Sequence, residues 1–179
     1  MFAFAAAVSL LVPVPVPADS AAEAAVAARV EIVRTAFGVP HIFAQDLEAM
    51  GFALGWVQLE DWGHPTAVNL VKARGDYATY VGHDSIGGDF SARETYARAV
   101  ETWPLLRADT RAVYEGFAAG VRHYVRLHPQ DFPSWMKPDF TGLDAHAHGV
   151  QGGGRGEASA FVRRRGQAPG GGRPPQGRG

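Results

Sequence analysis

Three stretches of the chain carry a clear hydrophobic period. In Val30–Arg34, Val30, Ile32 and Arg34 fall on one side and Glu31 and Val33 on the other. A period of two with β-branched residues predicts a strand. Gly38 can supply a positive φ in a turn, and Pro40 holds Val39 extended while donating nothing to a ladder. Val39–Ala44 then reads as a second short strand, so 29–45 is predicted to be a hairpin. From Asp46 the period becomes helical. Met50, Leu54 and Val57 share one face, Asp46 suits the N-cap, and Glu48 puts negative charge in the first turn. Gly51 and Gly55 lie four apart. Each costs about 1 kcal/mol of helix propensity. The pair marks either a close approach by another element or an ordinary buried amphipathic helix. The helix is predicted over 46–72, with a break near Gly63-His64-Pro65 because Pro65 clashes with a preceding turn.

The third period is the longest. Val113, Phe117, Val121, Tyr124 and His128 recur at intervals of four, four, three and four, an apolar stripe ending in a polar tip. Asp109 is the expected cap of this helix over Thr110–His128, Pro129 stops it, and Gly116 and Gly120 again lie four apart. Burying such a stripe is worth roughly 1.5–3 kcal/mol per large side chain, so the helix needs a partner surface. Between these stretches, 73–90 reads as a loop or short helix, and Phe90–Val100 as a helix exposing Arg93, Glu94 and Arg98. The expected fold class is α+β: an N-terminal β-hairpin followed by three or four helices.

Composition refines this picture at the two ends. The chain of 179 residues is long enough for one domain, and its 46% hydrophobic content is ordinary for a globular protein. It has no cysteine, which excludes disulfides and thiol chemistry. The net charge of −1 hides an asymmetry. In 150–179, Arg155, Arg163, Arg164, Arg165, Arg173 and Arg178 face only Glu157, so the body is acidic and offers no basic patch for nucleic acid. The tail holds one aromatic, Phe161, too little for base stacking. Thirteen of its last 30 residues are Gly or Pro, and it is expected to be disordered. Phe2–Val16 is apolar but too short to span a bilayer, which fits a signal-peptide core without a preceding Lys or Arg. Val16-Pro17-Ala18 offers a cut after Ala18, and the alanines to Ala28 offer others. The expected organisation is a signal-like leader over 1–28, a body over 29–149 and a tail over 150–179, in a periplasmic or secreted protein without a membrane span.

The ordered series Val30-Glu31-Ile32-Val33-Arg34, Gly38-Val39-Pro40-His41-Ile42 and Gly51-Phe52-Ala53-Leu54-Gly55-Trp56-Val57-Gln58-Leu59-Glu60-Asp61 resembles the start of the α chain of penicillin acylases. That family belongs to the N-terminal-nucleophile hydrolases. Ala73-Arg74-Gly75-Asp76-Tyr77-Ala78-Thr79-Tyr80-Val81-Gly82 is similar to the branch that acts on long-chain acyl amides, the acyl-homoserine lactone and aculeacin acylases. Gly116-Phe117-Ala118-Ala119-Gly120-Val121 and Phe132–Asp139 extend the resemblance to about Gly149, and Leu143-Asp144-Ala145-His146 would open the next helix. Arg122 stands where the family commonly has Asn, and Trp62-Gly63-His64-Pro65 interrupts what is usually a continuous helix. The resemblance implies a partial α chain of an αββα fold and hydrolysis of a linear acyl amide. It implies a serine at the N-terminus of a partner β chain, whose own α-amino group is the base. It implies calcium held mainly by that β chain, and no cofactor in this one.

Candidate chemistry within the chain is sparse. None of Ser9, Ser20, Ser85, Ser91, Ser134 and Ser159 follows Gly or precedes Asn, as the family's processing-site serine does, and no Gly-x-Ser-x-Gly turn is present. No catalytic, cofactor-binding or metal-ligating residue is nominated. His41 reads as structural, donating to a backbone carbonyl near the hairpin. Asp144, His146 and His148 would need further ligands to hold Zn²⁺. Asp84–Asp89 lacks the acidic spacing of an EF-hand loop and reads as a surface turn. Glu60 and Asp61 are adjacent and read as a hydrogen-bonded helix feature. Two functions are therefore expected as alternatives: an acylase α-chain portion inactive alone, or a small secreted helical module that docks on another protein.

Overall fold

The computed structural model describes residues 18–151. The expected disorder before residue 18 and after residue 151 lies outside the described residues. Within them the chain runs α1 (Ala18–Ala27), β1 (Val30–Arg34), β2 (Pro40–Ala44), α2 (Leu47–Trp62), α3 (His64–Arg74), α4 (Tyr77–Val81), α5 (Ile86–Thr102), α6 (Ala108–Leu127) and α7 (142–151). This is the predicted α+β hairpin-and-helices chain, divided more finely than its periodicity indicates. The helix expected over 46–72 is two, separated at Gly63. That residue sits at φ 66°, a conformation that favours glycine, and Pro65 follows in the first turn of α3. The stretch 73–90 contains the short α4 and the start of α5.

β1 and β2 pair antiparallel, with Val30 opposite Ala44 and Arg34 opposite Pro40. Asp46 caps α2 as expected, accepting from the Ala49 N–H at 2.8 Å. α6 departs from expectation at its start. Its N-cap is Arg107, whose side chain caps nothing, and Asp109 lies inside the first turn. Asp109 accepts from Arg107 Nη2 at 3.0 Å and complements the positive end of the helix dipole. At the other end the helix stops at Leu127, just before Pro129 as expected, Pro129 opens a 3₁₀ turn, and the ring of His128 donates to the Tyr124 carbonyl.

The core forms where α2 crosses α6. Gly51 and Gly55 face the Val113 and Phe117 carbonyls, while Gly116 and Gly120 face those of Glu48 and Phe52. A Cβ at any of the four would land on a backbone oxygen. The glycine spacing therefore marks a close approach, with each helix notched to receive the other. Since 51 meets 113–117 and 55 meets 117–121, the two helices run parallel, joined by the crossover of α3, α4 and α5. The α6 stripe finds its partner inside the chain. Val121 is fully buried beside Leu59, Leu70, Phe132 and Phe140, and Tyr124 lies edge-on to Trp56. A second cluster joins Val26 of α1 to Ala49, Phe52 and Ala119. Residues 18–27, read from sequence as leader, are thus a helix packed on α2 and α6. Large apolar side chains remain exposed on the hairpin, where Phe37 is 95% and Phe43 60% exposed.

Candidate functional site

The most highly bonded polar group joins α3, α5 and α7. The Asp144 side chain is fully buried and its carboxylate accepts from Arg74 Nε at 2.8 Å and Nη2 at 2.6 Å, from the Thr141 N–H at 2.7 Å and from Tyr96 Oη at 3.1 Å. Arg74 also donates to Asp139 Oδ1 and to the Asp139 carbonyl, and lies over the Phe140 ring. Burial opposes ionisation of both partners, but the bidentate bond outweighs it: the Asp144 carboxyl is held below its ordinary range and Arg74 above its own. Burial, with the Asp144 charge, pushes the Tyr96 hydroxyl up to about 12, so it stays protonated and donates.

His146 sits beside this group, buried between Trp103 and Tyr114. Its Nε2 is 3.0 Å from Thr102 Oγ1, whose hydroxyl hydrogen goes to the Arg98 carbonyl at 2.9 Å. The ring nitrogen is therefore the donor, and Nδ1 is the bare acceptor without a partner among the described residues. Burial lowers the pKa of His146. These residues do not fit a zinc site. Asp144 has spent its oxygens on Arg74, Thr141 and Tyr96, and His148 is exposed. Nor does the Asp84–Asp89 stretch fit calcium. It is not a plain surface turn either, because Asp89 is buried and its two oxygens accept the Tyr77 and Ala78 N–H groups, capping α4. No cluster of three or more His, Asp or Glu placed to hold a metal occurs among the described residues.

Two arginine clamps fasten the hairpin to α2. Arg34 reaches Glu60 at 2.5 Å and Asp61 at 2.7 Å, which explains the adjacent acids. Arg29 bonds Asp46 and Glu48, and the backbone N–H of Ala49, with that arginine, lowers the Asp46 pKa. His41 is exposed opposite Val33 and is not held by a side-chain hydrogen bond among the described residues, contrary to the expected carbonyl contact. Glu23 of α1 is buried and pairs with Arg122 at 2.7 Å and with Arg126. Sequence reasoning passed over Glu23, Arg74, Arg126 and Tyr96. One local signal was readable: Thr141-Gly142-Leu143-Asp144 has capping-box spacing, and the Thr141 N–H donates to the Asp144 carboxylate.

A cleft of about 550 Å³ opens between α3, α5 and α7, lined by Asn69, Lys72, Tyr77, Ser85, Asp89 and His148, among others. Within it no hydrogen bond links Ser85 to Lys72 or His148 among the described residues. The arrangement can bind a polar group, and it does not assemble a nucleophile with a base.

Residues 29–151 match the family model for penicillin amidase. The chain belongs to the penicillin amidase family. Its matched relatives include an acyl-homoserine lactone acylase from Pseudomonas syringae pv. tomato, 30% identical over 131 residues, which cover 64% of this chain and 17% of that protein. They also include the aculeacin-A acylase of Actinoplanes utahensis, 31% identical over 129 residues, 60% of this chain and 16% of that one. The chain thus spans about a sixth of the length of these curated relatives. The thermostable penicillin G acylase of Alcaligenes faecalis has the same fold, with a TM-score of 0.58 at 24% identity, over 76% of this chain and 80% of that one. The family match ends at 151, two residues past the boundary read from sequence.

Proposed function

We propose that this chain is the scaffold portion of an N-terminal-nucleophile acylase, inactive alone, which a partner chain completes. The observation that carries the reading is the open edge of the hairpin. Thr35 N–H donates to the Val39 carbonyl at 3.1 Å, and Gln45 N–H to that of Arg29 at 3.2 Å. Bonded and non-bonded pairs alternate in an antiparallel ladder, so Glu31 with Phe43 and Val33 with His41 exchange the inner bonds. The N–H and C=O groups of Val30, Ile32 and Arg34 then point away from β2. Outside the ladder they meet no backbone partner among the described residues. The outer edge of β2 is blunted by Pro40, while that of β1 is intact. An edge of this kind, beside exposed Val33, Phe37 and Phe43, suits a further strand from the completing chain.

On this reading the reaction is hydrolysis of a linear acyl amide: water adds to the acyl carbon, the C–N bond breaks, and an acid and an amine leave. The names of the relatives favour acyl-homoserine lactones or acylated peptides over a small β-lactam side chain. The serine nucleophile and most calcium ligands belong to the partner chain. The protein works in the periplasm or outside the cell. No helix among the described residues is long and apolar enough to cross a membrane. Incubating the purified chain with an acyl-homoserine lactone tests the proposal. Release above that of a boiled control overturns it.

The burial of the α6 stripe within the chain supports a second reading, a secreted helical module that binds another protein without catalysis. Size-exclusion chromatography separates the two. Association of the folded chain through its open hairpin edge favours the orphaned scaffold, and a folded monomer favours the module.

A further inference from the structure

We infer that Arg122 and Arg126, with His123 beside them, form a binding site for a small aliphatic carboxylate, and that in this chain Glu23 of α1 fills it in cis. Glu23 is only 2% exposed. Its Oε1 accepts from Arg122 Nε at 2.7 Å and its Oε2 from Arg126 Nη1, while His123 Nδ1 lies 3.7 Å from Oε2. Each oxygen thus has its own guanidinium, an arrangement that selects a planar anion with two oxygens.

The cations have anchors of their own, which sets this group apart from an ordinary ion pair. Arg122 Nη1 donates to the Phe140 carbonyl at 2.5 Å, and Arg126 Nη2 to that of Pro138 at 3.4 Å. The His123 ring rests against Phe52 and Trp56, with centroids 5.5 and 5.8 Å away. Arg122 and Arg126 lie four apart on one face of α6, so their charges repel and the pair needs an anion. Among the described residues no other carboxylate pairs with either guanidinium. An empty site would leave two partly buried cations without compensation.

Site and occupant also come from different parts of the chain. Arg122, His123, Arg126, Pro138 and Phe140 all lie within the span matched to the penicillin amidase model, 29–151, and Glu23 lies outside it. The walls therefore belong to the family body and the ligand to an appended helix. One turn along α1, Val26 is buried against Ala49, Phe52 and Ala119, with Trp56 alongside. The cationic end thus continues into an apolar groove, which fits a carboxylate carrying a short hydrocarbon tail. Tethering gives Glu23 a high effective concentration, so a free acid enters only when the Glu23 carboxylate is absent.

The test uses Glu23→Ala in the full chain, a change that removes one methylene and the carboxylate, the volume of an acetate ion. The variant is expected to melt below the unmodified chain. Acetate at about ten times its dissociation constant, with ionic strength matched by sodium chloride, raises that melting temperature by about 3–6 °C in a saturable way. Acetamide, which has the shape without the charge, leaves it unchanged, and the unmodified chain responds to neither. Glu23→Gln, which fills the space without the charge, does not respond to acetate. Equal shifts of the variant and the unmodified chain report a general salt effect and overturn the site. A folded Glu23→Ala chain that acetate does not shift overturns it too. If Glu23→Ala has no cooperative transition, the readout is recovery: return of the transition in acetate but not in acetamide supports the site, and no return in acetate overturns it.

Discussion

The α2–α6 seam and the β-hairpin are opposites. At the seam, four glycines let two backbones touch, and Val121 and Leu59 are buried. At the hairpin, two strands make the whole sheet of the described residues, one edge keeps its hydrogen-bonding groups free, and Phe37 and Phe43 face water. Arginine clamps and the half-buried face of Val30, Ile32 and Ile42 tie it to the helices. The contrast teaches that the seam spends its surface on packing, whereas the hairpin leaves an edge and large apolar side chains open.

The largest expected effect breaks the seam. Gly120→Val drives a branched side chain into the Phe52 carbonyl, which is backbone and cannot swing aside. A cost above about 3 kcal/mol, at the upper end for overpacking, is expected as loss of a cooperative transition in urea. An unchanged midpoint would show that the seam is looser than described. Asp144→Ala follows, removing the fully buried partner of Arg74 and leaving that arginine with Asp139 alone. A loss of about 3–5 kcal/mol is expected in chemical denaturation, and Asp144→Asn should recover only part of it.

A smaller, graded effect is expected with pH. His146 has a lowered pKa, so the unfolded chain binds its proton first. Its contribution is complete above about pH 6.5, the ordinary histidine value, and is lost as pH falls toward the folded value. Asp144, also lowered, holds its contribution above the ordinary carboxylate range and loses it at still lower pH. Urea midpoints from pH 7 to 5 should therefore fall, and His146→Gln should flatten that slope. At the alkaline end Tyr96, raised to about 12, should withdraw its share as pH climbs from 10 through 12. The smallest effect is expected at the hairpin. Phe43→Ser should change the stability of the isolated chain by no more than about 0.5 kcal/mol. A larger loss would show that this face already packs on something within the chain.

Local chemistry made much of the fold legible. The alternation in β1, the Asp46 cap, the Gly63–Pro65 break and the Pro129 stop each depend on a few neighbouring residues, and each stands where the pattern puts it. The glycine pairs announced a close approach but not its partner. What stayed hidden is long-range. Arg74 and Asp144 lie 70 positions apart, and Glu23 and Arg122 lie 99 apart, and ion pairs at such separations leave no periodic trace. α1 was hidden for another reason. An alanine-rich stretch after an apolar leader reads as part of the leader, and one buried carboxylate decides otherwise. The Asp109 cap failed because α6 starts one residue ahead of it, at Ala108.

The parallel seam also sets an order of events during synthesis. Its two notched faces are separated by the whole crossover, so α2 emerges from the ribosome long before α6 exists to meet it. Its glycines weaken it as a lone helix in that interval. A nascent chain whose central contact must wait for its later half spends that interval with its notched face uncovered.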